Sequence, residues 1–536
     1  MARSLRSMRR SHLPRSATAV AACLFVAACT SSPAASTTTV GGGPAGSTDG
    51  SSSPGATSSG ATSSGATSSG ATSSGATSSG ANGSIAWKNA AAAGVQTGHL
   101  LVPIDYKDPA KGTFDLYLAR HLANPKHRIG SLLINPGGPG FGGTEFAILA
   151  TGQFDPALID RFDIVAWDPR GTGKSTPPID CIDDYDHFFT GTDITPDTPQ
   201  ERRQLIDLAK EFAADCVSKS GAIMPFVGTN NSARDMDSIR RALGEPKISY
   251  LGFSYGSELG AVWATMFPHT VRAAALDGAA DPNADPNQYG IEQNAGFEQA
   301  ISTFLAGCSA NQQCAFHNDG KAEQAFDALM ASIDDHPIRT VNGRPPLTRA
   351  MALTGVADAI YFTFRWPTLE AALAAAQKGD GSGLLALFDE YYRRGADGKN
   401  DNSLEAFQVI SCVDRVERPT VAADDATAPA FNKAAPRFSP STVGSYTCTF
   451  FPPSEDPMAK VTGKGAGPIL VMGTTGDPAT PLASTRKMAA ALAKGHLVVV
   501  KAEGHTGYHA NACSGSVVDD YLIDPVGKVP PAGTTC

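Results

Sequence analysis

The sequence predicts an α/β fold in which a mostly parallel sheet is interrupted, late in the chain, by a helical insertion. Short and almost wholly apolar runs, typical of strands buried on both faces, alternate with helical patterns up to about residue 280. A helix-rich stretch follows to about residue 464, and two strand patterns come after it. One early strand runs into Gly-x-Ser-x-Gly at residues 252–256, and a helical pattern begins directly after it.

The first 85 residues are expected to lie outside the folded part. Residues 1–28 place five arginines before a short apolar segment, which is the pattern of a signal peptide. Val26-Ala27-Ala28-Cys29 resembles a bacterial lipobox, in which Cys29 becomes the lipidated first residue. The alternative is an ordinary cleavage site beside an incidental cysteine. Residues 29–85, in which Ala-Thr-Ser-Ser-Gly repeats five times, are predicted to be a disordered tether because they cannot bury apolar surface.

Charge and cysteine content exclude some classes of protein. The net charge of −9 becomes −14 when residues 1–28 are removed with their five arginines, and no basic cluster suggests nucleic-acid binding. Eight cysteines remain beyond Cys29, an even number that suggests disulfides in an exported chain. The absence of Cys-x-x-Cys argues against a zinc site, so no metal is expected. Pairing sequence neighbours suggests Cys181–Cys216, Cys308–Cys314, Cys412–Cys448 and Cys513–Cys536, although spacing alone does not exclude other connectivities.

The predicted elements divide the folded region into three parts. Residues 86–280 should form the first part of the core, residues 281–464 a helical cap, and residues 465–536 the second part of the core. In the first part, strands are predicted at 100–104, 114–119, 131–134, 162–167, 247–253 and 271–276, and helices at 199–219, 232–243 and 258–266. The cap should contain helices at 296–306, 322–333, 351–363 and 368–375. The last part should contain strands at 468–473 and 497–501 with a helix at 481–493 between them.

Ser254 is the candidate nucleophile. A strand, a sharp turn and a helix around Gly-x-Ser-x-Gly form the setting of a nucleophile elbow. The turn holds the serine in a strained conformation, so Gly252 and Gly256 are needed where a Cβ would clash with the adjoining strand and helix. A serine of this kind requires a histidine base and an acid that orients the imidazole.

Asp477 and His505 are the expected acid and base. Each follows one of the last two predicted strands directly, where loops at the carboxyl ends of parallel strands meet. Asp277 is the rival acid, at the end of the preceding strand, and either aspartate could simply cap a turn. His496 precedes its strand, and His509 should lie one helical turn too far along the chain.

The oxyanion hole should combine two backbone N–H groups. One belongs to Tyr255, directly after the nucleophile. The other should come from the loop Asn135–Gly140, in which Pro139 has no N–H. The donor is therefore the glycine at 137, 138 or 140, and Gly138 is preferred. A phosphate-binding glycine loop is the alternative, but the spacing matches no such motif.

Four motifs in register resemble the proline iminopeptidase/tripeptidyl aminopeptidase family of α/β-hydrolases. They are Asn-Pro-Gly-Gly-Pro-Gly at 135–140, Trp-Asp-Pro-Arg-Gly-Thr-Gly-Lys-Ser at 167–175, Gly-Phe-Ser-Tyr-Gly-Ser-Glu-Leu-Gly at 252–260 and Gly-Asp-Pro-x-Thr-Pro at 476–481. More closely, the chain resembles secreted actinobacterial tripeptidyl aminopeptidases and mycobacterial serine-protease lipoproteins, some of which are described as carboxylesterases.

The resemblance covers most of residues 86–536. It implies an α/β-hydrolase fold with a mostly parallel sheet and a helical cap inserted before the acid-bearing strand. It also implies Ser254, Asp477 and His505 as the triad. Asn135 departs from the histidine that opens the glycine motif in iminopeptidases.

Three further residues are expected to support the site. Asp168 and Arg170 match the family's Asp-x-Arg-Gly-x-Gly-x-Ser stretch, and we expect them to form a buried pair beneath it. Thr480 could hydrogen-bond the acid or its loop, and capping of the helix that follows is an equal alternative. An aminopeptidase must also bind a free ammonium group. Glu258, Glu145 and Asp414 are candidates, although each has a structural interpretation as well.

These observations predict an exported, lipid-anchored serine peptidase that releases short peptides (tripeptides) from free N-termini through an acyl-enzyme. The alternatives are a carboxylesterase or lipase with the same triad, and a binding protein on an inactive hydrolase scaffold. Dehalogenase or epoxide-hydrolase chemistry would need an aspartate in place of Ser254. Peptide or protein N-termini are the expected partners, with no cofactor, no nucleic acid, and membrane contact only through the lipid anchor at the cell envelope. We expect a monomer that could also be released.

Overall fold

The computed structural model describes residues 83–190, 195–196, 198–439 and 445–536. The expected signal peptide, the lipidation site at Cys29 and the repeats of the tether lie outside these residues. Among the helices that are described, none combines the length and the apolar character needed to cross a membrane.

A ten-stranded sheet organises the described part of the chain. Its strands are β1 (Lys88–Asn89), β2 (Val95–Pro103), β3 (Thr113–His121), β4 (Gly130–Asn135), β5 (Phe162–Trp167), β6 (Ile248–Phe253), β7 (Val271–Asp277), β8 (Ile469–Gly476), β9 (Gly495–Glu503) and β10 (Thr534–Thr535). They lie in the order β1-β2-β3-β5-β4-β6-β7-β8-β9-β10. The neighbours from β1 to β5 pair antiparallel, and all pairs from β5 to β10 are parallel.

Helices before and after the insertion accompany the sheet. They are α1 (Thr144–Ile148), α2 (Ala150–Gln153), α3 (Pro156–Arg161), α4 (Tyr185–Phe189), α5 (Pro199–Ser220), α6 (Thr229–Ala242), α7 (Tyr255–Met266), α16 (Leu482–Ala491) and α17 (Ala512–Ile523). Every residue of β4, β5 and β6 is buried. Burial on both faces explains why these strands are continuous apolar runs and not alternating patterns.

Between β7 and β8, the described residues of the insertion form helices joined by loops and contribute no strand to the sheet. The insertion contains α8 (Pro286–Ala310), α9 (Ala322–Asp335), α10 (Arg349–Ile360), α11 (Trp366–Ala376), α12 (Ser382–Tyr391), α13 (Ser403–Val413), α14 (Val421–Asp425) and α15 (Ala428–Ala434). Its side chains build a second hydrophobic cluster, which includes Phe304, Phe326, Met351 and Leu373. Trp167, Tyr250 and Trp263 belong to the larger cluster around the sheet.

Several helices differ from the sequence prediction, and α8 and α17 are two of them. Helix α8 begins ten residues earlier than the predicted start at 296, because the Asp285 side chain accepts the N–H of Gln288 and Pro286 occupies the first turn. Because the residues of that turn are polar, the spacing of apolar residues that indicates a helix does not begin until later in the sequence. Helix α17 was not predicted at all. Asn511 and Ser514 form a reciprocal capping arrangement at its start, a signal that the sequence does contain.

Four disulfides tie loops to helices: Cys181–Cys216, Cys308–Cys314, Cys412–Cys448 and Cys513–Cys536. They are the same four pairs that sequence proximity suggested.

Candidate active site

Ser254 occupies a sharp turn between β6 and α7. Its φ is +54° and its ψ is −126°, a conformation that costs a residue with a Cβ about 1–3 kcal/mol. Its N–H donates to the carbonyl of Asp277 at 2.8 Å, which fixes the turn to β7. A Cβ on Gly256 would lie 2.7 Å from the carbonyl oxygen of Asn135, and one on Gly252 would lie 2.3 Å from the carbonyl oxygen of Gly256. Both glycines are therefore required for the turn.

Asp477 and His505 meet at the ends of β8 and β9. Nδ1 of His505 lies 2.8 Å from Oδ1 and 3.0 Å from Oδ2 of Asp477, and both residues are buried. The carboxylate also accepts the N–H groups of Ala479, Thr480 and Thr506 at 3.0, 2.8 and 3.3 Å. A carboxylate held in this way places the proton on Nδ1. Nε2 is buried without a hydrogen-bond partner in the described chain, so it is available as a base.

Asp277, the rival acid, has a different set of contacts. Its two oxygens accept the N–H groups of Gly507 and Tyr508 at 2.8 and 2.7 Å. Burial raises the pKa of Asp277 to about 6, although these two bonds oppose that increase. Asp277 thus holds the loop that follows His505, while Asp477 contacts the imidazole. His496 lies at the start of β9, with Nδ1 3.3 Å from a backbone carbonyl at residue 530.

Thr480 adjoins both members of this pair. Besides its N–H bond to Asp477, its Oγ1 lies 3.3 Å from Nδ1 of His505. Helix α16 begins two residues later with Pro481 as its N-cap, and no side chain caps it. The contact with the acid and base is therefore the alternative that the structure favours over helix capping.

The glycine loop after β4 lies against the elbow. A Cβ on Gly137 would come within 2.9 Å of the Cβ of Ser254. The N–H of Gly137 donates to Oδ1 of Asn135 at 2.9 Å, so it is already engaged. Gly140 faces the insertion instead, because a Cβ there would lie 2.3 Å from the carbonyl oxygen of Ser403. Gly138 therefore stays the expected donor of this loop.

The second expected donor is the N–H of Tyr255. Tyr255 is the first residue of α7, and N–H groups in the first turn of a helix have no acceptor within it. The phenol of Tyr255 is anchored away from the backbone, with its oxygen 2.5 Å from Oγ1 of Thr229.

The expected pair between Asp168 and Arg170 is wrong. Arg170 is fully buried and binds Asp235 of α6 through two contacts, at 2.6 Å from Nη2 and 2.7 Å from Nε. Asp168 accepts the N–H groups of Thr144 and Lys174 at 3.0 and 2.9 Å. A guanidinium pairs most strongly with a carboxylate whose two oxygens face two of its N–H donors. Asp235 on α6 faces Nε and Nη2 of Arg170 in this way. The oxygens of Asp168 are occupied by the backbone of its own loop and of α1.

Two of the three candidate carboxylates for an ammonium group come together. Glu258 lies in the first turn of α7, and Asp414 caps the end of α13. Burial and the charge of Asp414 raise the pKa of Glu258 to about 7, and Arg415 partly opposes this. Burial also raises the pKa of Asp414 to about 6, although Thr229 donates to it through its N–H and hydroxyl at 2.7 and 2.6 Å. Glu145 lies on α1.

Tyr361 contacts His505, which the sequence did not indicate. It follows α10 in the insertion, and its carbonyl accepts the N–H of His505 at 2.7 Å. The two rings pack edge to face, with centroids 5.4 Å apart. The insertion therefore touches the expected base directly.

A cleft of about 610 Å³ opens in the insertion. The start of α8, α15 and the segment after α13 line it, and its lining includes Asp285, Gly290, Arg415, Thr427 and Phe431. Arg415 lines the cleft, and its positive charge lowers the pKa of both Glu258 and Asp414, opposing the increase that burial causes.

Comparison with known proteins identifies the family. Residues 130–323 match the family described as alpha/beta hydrolase fold, and residues 435–536 match the TAP-like protein family. Serine protease Hip1 of Mycobacterium tuberculosis is 36% identical over 466 residues, which cover 83% of this chain and 87% of the relative. Carboxylesterase B of the same species is 35% identical over 449 residues, with 81% and 85% covered. The tripeptidyl aminopeptidase of Streptomyces lividans is 28% identical over 471 residues, with 84% and 86% covered. These matches confirm the predicted α/β-hydrolase fold, and the chain belongs to the tripeptidyl aminopeptidase family of α/β-hydrolases.

Proposed function

We propose that this protein is a serine peptidase that removes short peptides, tripeptides among them, from free N-termini. The observation that carries the proposal is the buried contact between Asp477 and His505, on loops that follow β8 and β9. Ser254 follows β6 in the same parallel sheet, and the carboxyl ends of parallel strands lie at one edge. Relatives named as a serine protease and as a tripeptidyl aminopeptidase support the same function.

In the proposed reaction, Oγ of Ser254 attacks the carbonyl carbon of the scissile peptide bond. His505 takes the serine proton on Nε2 and later passes it to the leaving amine, while Asp477 stabilises the imidazolium. The N–H groups of Gly138 and Tyr255 bind the oxyanion, and one such donor contributes about 3–4 kcal/mol in other serine proteases. In the second half of the reaction, His505 takes a proton from a water molecule, which attacks the acyl carbonyl carbon. The bond to Oγ of Ser254 then breaks, and His505 returns the proton to Oγ as the peptide acid leaves.

Glu258 and Asp414 are the proposed binding site for the substrate's ammonium group. Two partly desolvated carboxylates attract a cation strongly, and a bound cation would lower the pKa of both. This feature favours a peptidase for free N-termini over an esterase. Carboxylesterase activity with the same triad is the second candidate, because a relative of 35% identity carries that name.

We further propose that residues 86–280 and 465–536 form one hydrolase core, and that residues 281–464 form a cap that selects the substrate. The contact between Tyr361 and His505 supports this division. The basic and apolar pattern of residues 1–28 and the cysteine at 29 support export and attachment by a lipid, with residues 29–85 as the tether.

The test compares a tripeptide anilide that has a free amino group with the same compound acetylated at its N-terminus. We expect turnover of the free compound and little turnover of the acetylated one. Equal turnover would remove the aminopeptidase assignment and leave an endopeptidase or esterase.

Labelling by a fluorophosphonate tests the nucleophile separately. Ser254→Ala should abolish it. Ser257→Ala is the matched control, because Ser257 lies in the helix that follows Ser254 and its buried hydroxyl makes no hydrogen bond within the described residues. Labelling of Ser254→Ala at the wild-type level would identify another nucleophile.

A further inference from the structure

Three side chains of metal-ligating type meet behind the loop that carries His505. Asp155 precedes α3, His509 lies four residues beyond His505, and Asp519 belongs to α17. One ligand atom from each residue lies within 4.8 Å of the other two. The three positions have no common motif, so a search for ligand spacing in the sequence does not find them.

The imidazole of His509 is held in place without a hydrogen bond at Nε2. That atom is buried and has no hydrogen-bond partner in the described residues, although Oδ2 of Asp155 lies 3.3 Å from it. The ring stacks on Tyr508 with 3.9 Å between centroids. On the other side, a Cβ on Gly515 would lie only 2.9 Å from Cδ2 of the ring. The missing side chain of Gly515 therefore makes room for the imidazole.

The two carboxylates differ in exposure. Asp519 is buried, and the hydroxyl of Tyr508 donates to its Oδ1 at 2.9 Å. A hydrogen bond to a ligating carboxylate is the usual support for a metal ligand. The side chain of Asp155 is 47% exposed, so this side of the cluster is open to solvent. Two carboxylates this close together require a proton or a cation between them.

We propose that Asp155, His509 and Asp519 bind one divalent metal ion, and that Zn²⁺ is the best match. An imidazole nitrogen with two carboxylate oxygens suits Zn²⁺, whereas Ca²⁺ and Mg²⁺ prefer oxygen ligands alone. Tetrahedral bonds of about 2.0–2.1 Å place ligand atoms roughly 3.4 Å apart, so atoms that lie within 4.8 Å of one another need to converge by up to about 1.4 Å. Water at the open side completes the coordination.

The proposed ion has a structural consequence and no part in the reaction. It would fasten the loop from His505 to His509 onto α17 and onto the residue before α3. Asp277 already holds this loop from the other side through Gly507 and Tyr508. The site is independent of the proposed function, because none of its residues contacts Ser254 or the acid.

The experiment uses the purified full chain without an affinity tag, treated with EDTA and then dialysed against Zn²⁺ at pH 8. We expect one Zn²⁺ per chain. At a free Zn²⁺ concentration 100 times the Kd, the midpoint of thermal unfolding should rise by about 3 °C. Co²⁺ in place of Zn²⁺ should give visible absorption bands. Less than a tenth of an equivalent of Zn²⁺ on the wild-type chain would overturn the proposal.

Variants locate the ion. Asp519→Asn and His509→Gln should lose both the bound Zn²⁺ and the shift of the midpoint, while circular dichroism without metal shows that they fold. His127→Gln is the control, because it removes another imidazole that pairs with a carboxylate, 2.7 Å from Asp160. It should bind as the wild type does. Unchanged binding by both Asp519→Asn and His509→Gln, or an equal response to Ca²⁺, would refute the assignment.

Discussion

Replacing Asp477 by asparagine tests the proposed triad at the contact on which it depends. The asparagine keeps the shape of the side chain and an oxygen for the N–H groups of Ala479 and Thr480. In the wild type, the two carboxylate oxygens of Asp477 lie 2.8 and 3.0 Å from Nδ1 of His505. In the variant, an amide nitrogen replaces one of these oxygens and faces Nδ1. The imidazole then carries its proton on Nε2, where it cannot accept the proton of Ser254.

The expected loss follows from this change of tautomer. The equivalent substitution in another serine protease lowers kcat by about 10⁴-fold, which corresponds to about 5.5 kcal/mol in activation free energy. We expect a similar loss here, because the carboxylate and the imidazole are buried and little water can replace the missing charge. The midpoint of thermal unfolding should change much less than kcat does.

Asp277→Asn is the matched control. Among the described residues, its side chain binds the backbone N–H groups of Gly507 and Tyr508 and not the imidazole, so the substitution should weaken the loop without changing the tautomer of His505. We expect a kcat within about tenfold of wild type and a lower unfolding midpoint, because hydrogen bonds to a charged group contribute about 1.5–3 kcal/mol. Both values come from steady-state assays on the free tripeptide anilide and from thermal melts. A larger loss of kcat in Asp277→Asn than in Asp477→Asn would refute the assignment of the acid.

Two further predictions concern stability and pH. Arg170→Met should lower the free energy of unfolding by about 3–5 kcal/mol in denaturant titrations, because it leaves the carboxylate of Asp235 buried without its partner; a change below about 1 kcal/mol would show that the pair is not needed. Glu258 and Asp414, with pKa values raised to about 7 and about 6, become protonated as the pH falls from 8 to 5.5 and lose their attraction for an ammonium group. The KM of the free tripeptide anilide should therefore rise about tenfold over this interval, while that of an ester substrate stays constant; a flat KM for the free peptide would contradict the proposed ammonium site.

Local sequence patterns predicted the central strands of the sheet well. The buried strands could be located because both faces of a parallel sheet are covered, which makes their apolar runs continuous. The loop positions of Ser254, Asp477 and His505 follow from those strands, since a residue directly after a parallel strand lies at the edge where the neighbouring strands also end. Helix α8 was underestimated because its first turns are polar.

These local patterns could not predict contacts between elements that are far apart in the sequence. Nothing in the local sequence selects Asp235 over Asp168 as the partner of Arg170, because the choice depends on where α6 packs. The same holds for Tyr361 of the insertion, which contacts His505 although the two residues lie far apart in the chain.

By itself, the amino-acid sequence therefore determined the α/β frame, the elbow at Ser254 and the order of the expected acid and base. The tertiary structure alone decided which carboxylate faces the imidazole, that the charge of Asp414 acts on Glu258, and that Asp155, His509 and Asp519 lie close together. The physical reason is that hydrophobic period and turn chemistry act between near neighbours in the chain. Side-chain contacts depend on how helices of the core and of the insertion pack, and that packing carries no local signature.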